Sequence, residues 1–327
     1  MDSLSHLILA RPPSLDPAWL WHEDEANLKA PKKTYASPLD RQPIYAEECR
    51  CLNARMMAPD GPYHRLSSIS TQELAAQSKL DSFHIPVLRF SDPGQEEQIA
   101  VVYFHGGGLY VGEADSEELC CRRIVADVPG AVVYSVGYRL MPAWPASTCL
   151  ADALDAFDFV QARCAGKKLI IVGSSSGGQL AAAVSLARKA DGVVLRCPVT
   201  SDGGSSLEFV PERLRGAYTS ATEPFETSLL GVFRRAVPRD GLERLPLEAP
   251  ALQMKRLPRT WVQVCTNDTL YSDGVCYVMA LREAGVEVEV EVLEGWPHTF
   301  WLKAPGLERA EEAERGFVRG VNWVLGE

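Results

Sequence analysis

The pentapeptide Gly173-Ser174-Ser175-Ser176-Gly177 stands directly between an apolar run, Leu169-Ile170-Ile171-Val172, and a run of helical character that begins at Gln179. A strand that passes into a helix within so few residues needs a sharp, strained turn, and side chains two positions either side of its apex obstruct the reversal. Glycine at 173 and 177 therefore selects Ser175 as the apex. Centring the turn on Ser174 or Ser176 puts a side chain where a glycine is needed. Taken alone, the five residues also suit a serine-rich helix cap or an anion-binding turn, because helix N-termini favour both. The surrounding sequence has to decide.

Around this turn the chain alternates between strand-like and helix-like segments. β-rich runs occur at 83–90, 99–104, 131–136, 168–172, 192–197, 260–265 and 286–293, and several are short and continuously apolar, as strands covered on both faces are. Helical windows lie between or after them at 116–127, 147–165, 176–189, 272–284 and 307–325. That order predicts an α/β fold, a mostly parallel central sheet flanked by helices. The stretch before residue 80 is rich in proline, charge and scattered aromatics and has no strand alternation, so it reads as an N-terminal cap, 1–80, ahead of a catalytic domain, 81–327. Segment 201–258 interrupts the rhythm with Gly203-Gly204-Ser205-Ser206, several prolines and a weak helical stretch near 225–236. It is expected to be an insertion that completes the cap.

Bulk properties narrow the partners. A formal net charge of -10 gives no positive field for nucleic acid or anionic lipid. No run approaches the roughly 18 apolar residues of a membrane helix. Met1 to Ala10 has no basic start or long apolar core and is followed by Arg11-Pro12-Pro13, which argues against a secretory signal. Nine cysteines, an odd number spread over predicted helices and strands, fit reduced thiols and a cytoplasmic location. Cys49-Arg50-Cys51 has no second Cys/His pair at finger spacing, so no metal site is expected.

A second glycine motif, His105-Gly106-Gly107-Gly108, ends the apolar strand Val101-Val102-Tyr103-Phe104. Consecutive glycines let backbone N–H groups turn toward a developing oxyanion, where acyl transfer gains most stabilisation, and this motif accompanies serine elbows of the G-x-S-x-G kind.

With both motifs in order, the sequence resembles the hormone-sensitive-lipase-like branch of the α/β-hydrolases. The resemblance runs from about Val101 to Trp301 and also includes Tyr138-Arg139-Leu140-Met141-Pro142, Pro145-Ala146 and Asp152. It implies the α/β-hydrolase fold and an oxyanion hole made by the amides of Gly107, Gly108 and Ser176, with Gly106 in the same loop. The family form of the elbow is usually G-D-S-A-G-G. Here Ser174 replaces the aspartate and Ser176 the alanine, so a carboxylate next to the nucleophile is missing. The loop after Leu140 is also shorter than the family's Pro-Glu-x-x-x-Pro-Ala.

A serine hydroxyl needs a base to take its proton, and the base needs a carboxylate to hold its tautomer. Of six histidines, His6, His22 and His64 fall in the cap, His84 in a strand and His105 in the glycine loop. His298, just after the last β-run, remains. The chain order Ser, Asp, His places the acid between 175 and 298. Asp268 follows strand 260–265 on a loop at the strand's carboxyl end, where open α/β sheets build their sites. Asp273, the rival, begins the next helix, the usual place of a cap or dipole partner. The resemblance agrees with Asp268, since Asp268-Thr269-Leu270-Tyr271-Ser272-Asp273-Gly274 is similar to the family's D-x-L-x-D-[DE]-G, and His298-Thr299-Phe300 to its H-G-F.

The expectation is a carboxylesterase acting on a small or natural-product-like ester through Ser175, His298 and Asp268, without metal or organic cofactor. Amidase, lactonase or acyl-transfer chemistry uses the same residues. A non-hydrolytic cyclisation or condensation catalyst and a ligand-binding protein on the same fold stay open as alternatives, as does a homodimer. Trp19, Trp21, Tyr218 and Phe225 either line the pocket or pack, with packing the greater expectation.

Overall fold

The computed structural model describes residues 4–31 and 33–326. Two helices come first, α1 (Pro17–Glu25) and α2 (Pro38–Met57), followed by strands β1 (Ser70–Gln77), β2 (His84–Ser91) and β3 (Ile99–Phe104). Strand and helix then alternate: α3 (Glu118–Asp127), β4 (Ala131–Val136), α4 (Ala146–Arg163), β5 (Lys168–Ser174), α5 (Ser176–Ala187) and β6 (Gly192–Arg196). After a long excursion come α6 (Ala251–Met254), β7 (Thr260–Asn267), α7 (Tyr271–Glu283), β8 (Val288–Pro297), α8 (Phe300–Lys303) and α9 (Glu308–Leu325).

Eight strands form one sheet in the order β1-β2-β4-β3-β5-β6-β7-β8. β1 with β2 and β2 with β4 are antiparallel, and the remaining neighbours are parallel. The pleat of β3 shows why its run is apolar throughout. Ala100, Val102 and Phe104 enter one core with Phe157 of α4, Leu180 of α5 and Leu281 of α7. Val101 and Tyr103 enter the other with Ile124 of α3 and Phe317 of α9. Alternate side chains of a strand point to opposite faces, so a central strand between two helix layers has no solvent face to fill with polar residues.

The predicted architecture holds, with two corrections. The 1–80 cap contains β1, which belongs to the sheet, so the sheet begins at Ser70. β1 is an edge strand whose residues are mostly exposed, with Ala76 its one buried side chain, and an edge needs no apolar alternation. The weak helix expected near 225–236 is absent: a single 3₁₀ turn, Glu223–Phe225, gives way to irregular chain. Thr227, Ser228 and Gly231 compete with or weaken a helical ladder there. The whole excursion 201–258 consists of 3₁₀ turns, irregular chain and the short α6.

The N-terminal segment is fastened over the carboxyl ends of the last strands. Asn267 Nδ2 donates to the Pro13 carbonyl (2.8 Å), Tyr271 Oη to that of Leu7 (2.8 Å) and Thr219 Oγ1 to that of Leu9 (2.6 Å). Asp16 N–H bonds the Gly295 carbonyl at 2.9 Å. From α2, the Gln42 amide donates to the carbonyls of Tyr110 (2.8 Å) and Met141 (3.0 Å). No helix among the described residues is long and apolar enough to cross a membrane.

Candidate active site

Ser175 sits between β5 and α5 at φ 52°, ψ −121°, a region that costs a non-glycine residue about 1–3 kcal/mol. Its own backbone is held on both sides, by a bond from its N–H to the Arg196 carbonyl (2.8 Å) and from Val199 N–H to its carbonyl (3.1 Å). The flanking glycines are steric necessities. A Cβ at Gly177 would collide with the Phe104 carbonyl oxygen, and one at Gly173 with that of Gly177. Helix α5 thus starts against the end of β3, with Ser175 directed at the glycine loop beyond it.

The loop after β8 brings His298 to this serine. His298 Nε2 lies 2.9 Å from Ser175 Oγ, and Nδ1 lies 2.6 Å from Asp268 Oδ2. Asp268 Oδ1 accepts the Leu270 N–H at 2.8 Å, which fixes the plane of the carboxylate. Both His298 and Asp268 are buried. Thr299 occupies the left-handed region at φ 45°, ψ 36°, which accounts physically for the glycine that the similar family carries there.

Cys197 completes the surroundings. Its sulfur, a carboxylate oxygen of Asp268 and a nitrogen of His298 all lie within 4.8 Å of one another. Among the described residues this is the group of ligand atoms close enough to share a metal ion, but both histidine nitrogens already face Asp268 and Ser175. That arrangement suits proton transfer. Burial resists a charged imidazolium, yet Asp268 and Cys197 favour it more strongly, so His298 holds its proton above the ordinary value of 6.5.

The sequence-predicted rival, Asp273, is engaged elsewhere. Its Oδ1 accepts the N–H groups of Thr200 and Ser201, both at 2.8 Å, and its Oδ2 accepts Tyr218 Oη at 2.6 Å. Burial pushes its carboxyl up to about 6 against those hydrogen bonds. It anchors the start of the 201–258 excursion and makes no hydrogen bond to His298.

Gly106, Gly107, Gly108 and Ser176 line the same cavity as Ser175. Gly107 has φ +119°, and a Cβ there would meet the Val111 carbonyl, so only glycine fits. The amides are not equivalent. Gly106 N–H is committed to Glu117 Oε1 at 2.6 Å, whereas no acceptor faces those of Gly107 and Gly108 among the described residues. Ser176 begins α5, where an N–H has no intrahelical partner. The geometry therefore removes Gly106 from the expected donors and leaves the other three available.

Sequence reasoning missed three supports of this loop. Glu117 bridges Gly106 to the Ser174 hydroxyl, with Ser174 Oγ donating to Oε1 at 2.5 Å. Ser176 Oγ accepts Leu109 N–H at 3.2 Å, a tie that an alanine at this position lacks. The His105 ring stacks on Tyr138 with centroids 4.4 Å apart, and Tyr138 Oη donates to the His105 carbonyl at 2.7 Å. The only local signal was the missing acid at 174, which hints at a replacement without saying where it lies.

The cavity over Ser175 measures about 290 Å³. Its apolar wall comes from Val199, Leu229, Leu230, Phe233, Leu270 and Leu302, and Tyr45 enters from α2. None of the four aromatics singled out in the sequence lines it. Trp19, Tyr218 and Phe225 are buried in packing, and Trp21 is 63% exposed.

Comparison with known proteins places these features in context. Residues 101–302 match a family model described as the alpha/beta hydrolase fold. The chain is similar to the ethyl acetate hydrolase of Pseudomonas putida, 31% identical over 71% of this chain and 76% of that protein. It is also similar to the versiconal hemiacetal acetate esterase of Aspergillus parasiticus, 31% identical over 67% of this chain and 72% of that one. A further relative, the FAD-linked oxidoreductase pytB of Aspergillus terreus, is 29% identical over 79% of this chain, which spans only 32% of that longer protein. Among solved structures, the thermophilic carboxylesterase EstE1, cloned from a metagenomic library, superposes with a TM-score of 0.73 at 23% identity, covering 89% of this chain and 98% of that one. Vibralactone cyclase does so with 0.75 at 19% identity, covering 96% and 95%. Both structural likenesses bear on the fold.

Proposed function

The chain belongs to the hormone-sensitive-lipase-like carboxylesterases of the alpha/beta hydrolase fold, and from that membership we propose that Ser175, His298 and Asp268 perform its ester hydrolysis. The observation that carries this assignment is the unbroken line from Ser175 Oγ to His298 Nε2 (2.9 Å) and from His298 Nδ1 to Asp268 Oδ2 (2.6 Å).

Ser175 Oγ attacks the acyl carbon as His298 Nε2 takes its proton. Asp268 keeps the other ring proton on Nδ1 and stabilises the imidazolium that forms. The amides of Gly107, Gly108 and Ser176 receive the oxyanion, with donors already oriented before charge develops. Collapse expels the alcohol, protonated by His298, and leaves an acyl-enzyme on Ser175. Water, deprotonated by the same histidine, then releases the acid.

The substrate is a short-chain ester, in keeping with a cavity of about 290 Å³, at the small end of ligand pockets. The relatives named for ethyl acetate and for an acetate ester of a fungal metabolite support an acetyl or similarly short acyl group on a natural-product alcohol. Two stretches form the cap: the chain ahead of Ser70, which supplies Tyr45, and the 201–258 excursion, which supplies Leu229, Leu230 and Phe233. The free thiols fit a cytoplasmic location, and light scattering decides between monomer and homodimer.

The test is a panel of chromogenic esters graded by acyl length, together with fluorophosphonate labelling. Wild type cleaves short acyl esters and is labelled at Ser175. Labelling that persists in Ser175→Ala rejects the nucleophile.

A further inference from the structure

We propose that Glu117 is a positioning residue that holds the oxyanion loop at its working distance from the serine elbow, supplying from α3 the carboxylate that position 174 lacks. The proposal rests on the assignment of Ser175 as nucleophile and on four observations.

Glu117 is the N-cap residue of α3, yet its side chain makes no capping bond. A side chain at this position that accepts one of its own helix's free N–H groups contributes about 1 kcal/mol, a role typical of Ser, Thr, Asp and Asn. Here that local use is given up and the carboxylate turns inward, where the residue is 4% exposed.

The inward carboxylate is met by donors from three separate segments. Oε1 accepts Gly106 N–H of the glycine loop (2.6 Å) and Ser174 Oγ of the elbow (2.5 Å), and Oε2 accepts Tyr103 Oη of β3 (2.6 Å). Hydrogen bonds to an ionised acceptor are the short, strong kind. One group therefore couples the strand that carries the loop, the loop and the residue next to the nucleophile.

The bond to Gly106 acts on catalysis through the peptide plane. With Gly106 N–H fixed on Glu117, the 105–106 peptide cannot rotate. That holds one end of the stretch that leads to Gly107 (φ +119°) and Gly108 (φ +68°) and narrows the range of orientations open to their N–H groups. A loop of three glycines otherwise has the greatest backbone freedom the chain can offer.

Finally, Glu117 lines the cavity beside Ser175 and the glycines, so its charge lies close to where the oxyanion forms. Bare, it would oppose that charge; with three donors on it, much of its field is spent locally. Those bonds make it a brace.

The experiment compares Glu117→Gln, Glu117→Ser and the double variant Glu117→Ser/Ser174→Asp with wild type and Ser175→Ala. The readouts are kcat, KM, melting temperature and affinity for a boronate that mimics the tetrahedral adduct. Glu117→Ser lowers kcat about 100-fold, the scale of a small misplacement of reacting groups, and weakens the boronate in parallel while KM stays within about threefold. Glu117→Gln, which keeps one acceptor, falls between. The double variant returns the acid to the elbow within reach of Gly106 and recovers kcat to within about tenfold of wild type. A Glu117→Ser enzyme with wild-type kcat overturns the proposal, and so does a loss that follows melting temperature and is not recovered by Ser174→Asp. Should the single variant fail to fold, Glu117→Gln and the double variant carry the same comparison. Esterase activity surviving in Ser175→Ala overturns the nucleophile assignment itself, an outcome distinct from the others.

Discussion

Asp268→Asn offers the sharpest test of the proposed proton path, because the structure dictates which way the new amide must face. Asp268 Oδ1 accepts the Leu270 N–H at 2.8 Å, so the asparagine carbonyl must stay there; reversing it would bring two donors together. The NH₂ group is then directed at His298 Nδ1, where a carboxylate oxygen sits at 2.6 Å. Nδ1 can only accept from it, which moves the ring proton to Nε2. That proton now points at Ser175 Oγ, 2.9 Å away, and the serine has lost its base. A tautomer error of this kind costs about 10⁴ in rate, or roughly 5.4 kcal/mol of transition-state stabilisation. The side chain is isosteric, so melting temperature should change little beside that. The assay is kcat/KM on a chromogenic acetate ester, alongside thermal melts, for Asp268→Asn and Asp273→Asn. Asp273→Asn can keep its carbonyl on Thr200 and Ser201 and offer its NH₂ to Tyr218, so it should retain activity and lose about 1–3 kcal/mol of stability. Asp268→Asn retaining more than a tenth of wild-type kcat/KM would refute the reasoning. A larger loss from Asp273→Asn would transfer the role to that residue.

Further expectations follow from the same geometry. Because His298 holds its proton above 6.5 and must be neutral to act as the proposed base, kcat/KM should rise with pH along a limb placed above that value; Cys197→Ala removes one cause of the shift and should move the limb toward acid in a pH–rate profile. Asp273 is raised from 3.8 to about 6, so its contribution to stability is full below about 3.8 and is lost as pH rises through about 6; denaturant melts should show wild type gaining on Asp273→Asn between pH 7 and 4. Ser176→Ala removes the acceptor of Leu109 N–H and should cost about 1 kcal/mol in the same melts. Gly177→Ala drives a methyl into the Phe104 carbonyl and should abolish soluble expression or activity together, which enzyme yield and labelling will show.

Residues were legible in the sequence where one local pattern and one physical demand coincide. Gly173 and Gly177 mark the elbow because any Cβ there strikes backbone, and the apolar runs mark β3 and β5 because both their faces are covered. Asp268 could be separated from Asp273 by asking which stands at a strand's carboxyl end and which at a helix start. β1 escaped because an edge strand can be polar on nearly every residue. Glu117 escaped because its local setting, the start of a helix, offers an acid an ordinary use, and only the fold shows Gly106, Ser174 and Tyr103 converging on it. The cavity wall escaped for the opposite reason: large aromatics attract notice by size, whereas Leu229 and Phe233 are brought to the cavity by irregular chain that carries no periodic signal.

The collision that forbids a side chain at Gly177 also separates what evolution can alter from what it cannot. Ser175 is seated by backbone bonds to Arg196 and Val199, and the backbone around Gly173 and Gly177 leaves no room for a side chain. Leu229, Leu230 and Phe233, by contrast, stand on irregular chain with no ladder to break. Mutational drift therefore has a permissive track beside an immovable one, and a library randomised at those three positions should yield new ester selectivities at low cost in folding, while one randomised around the elbow should yield mostly dead protein.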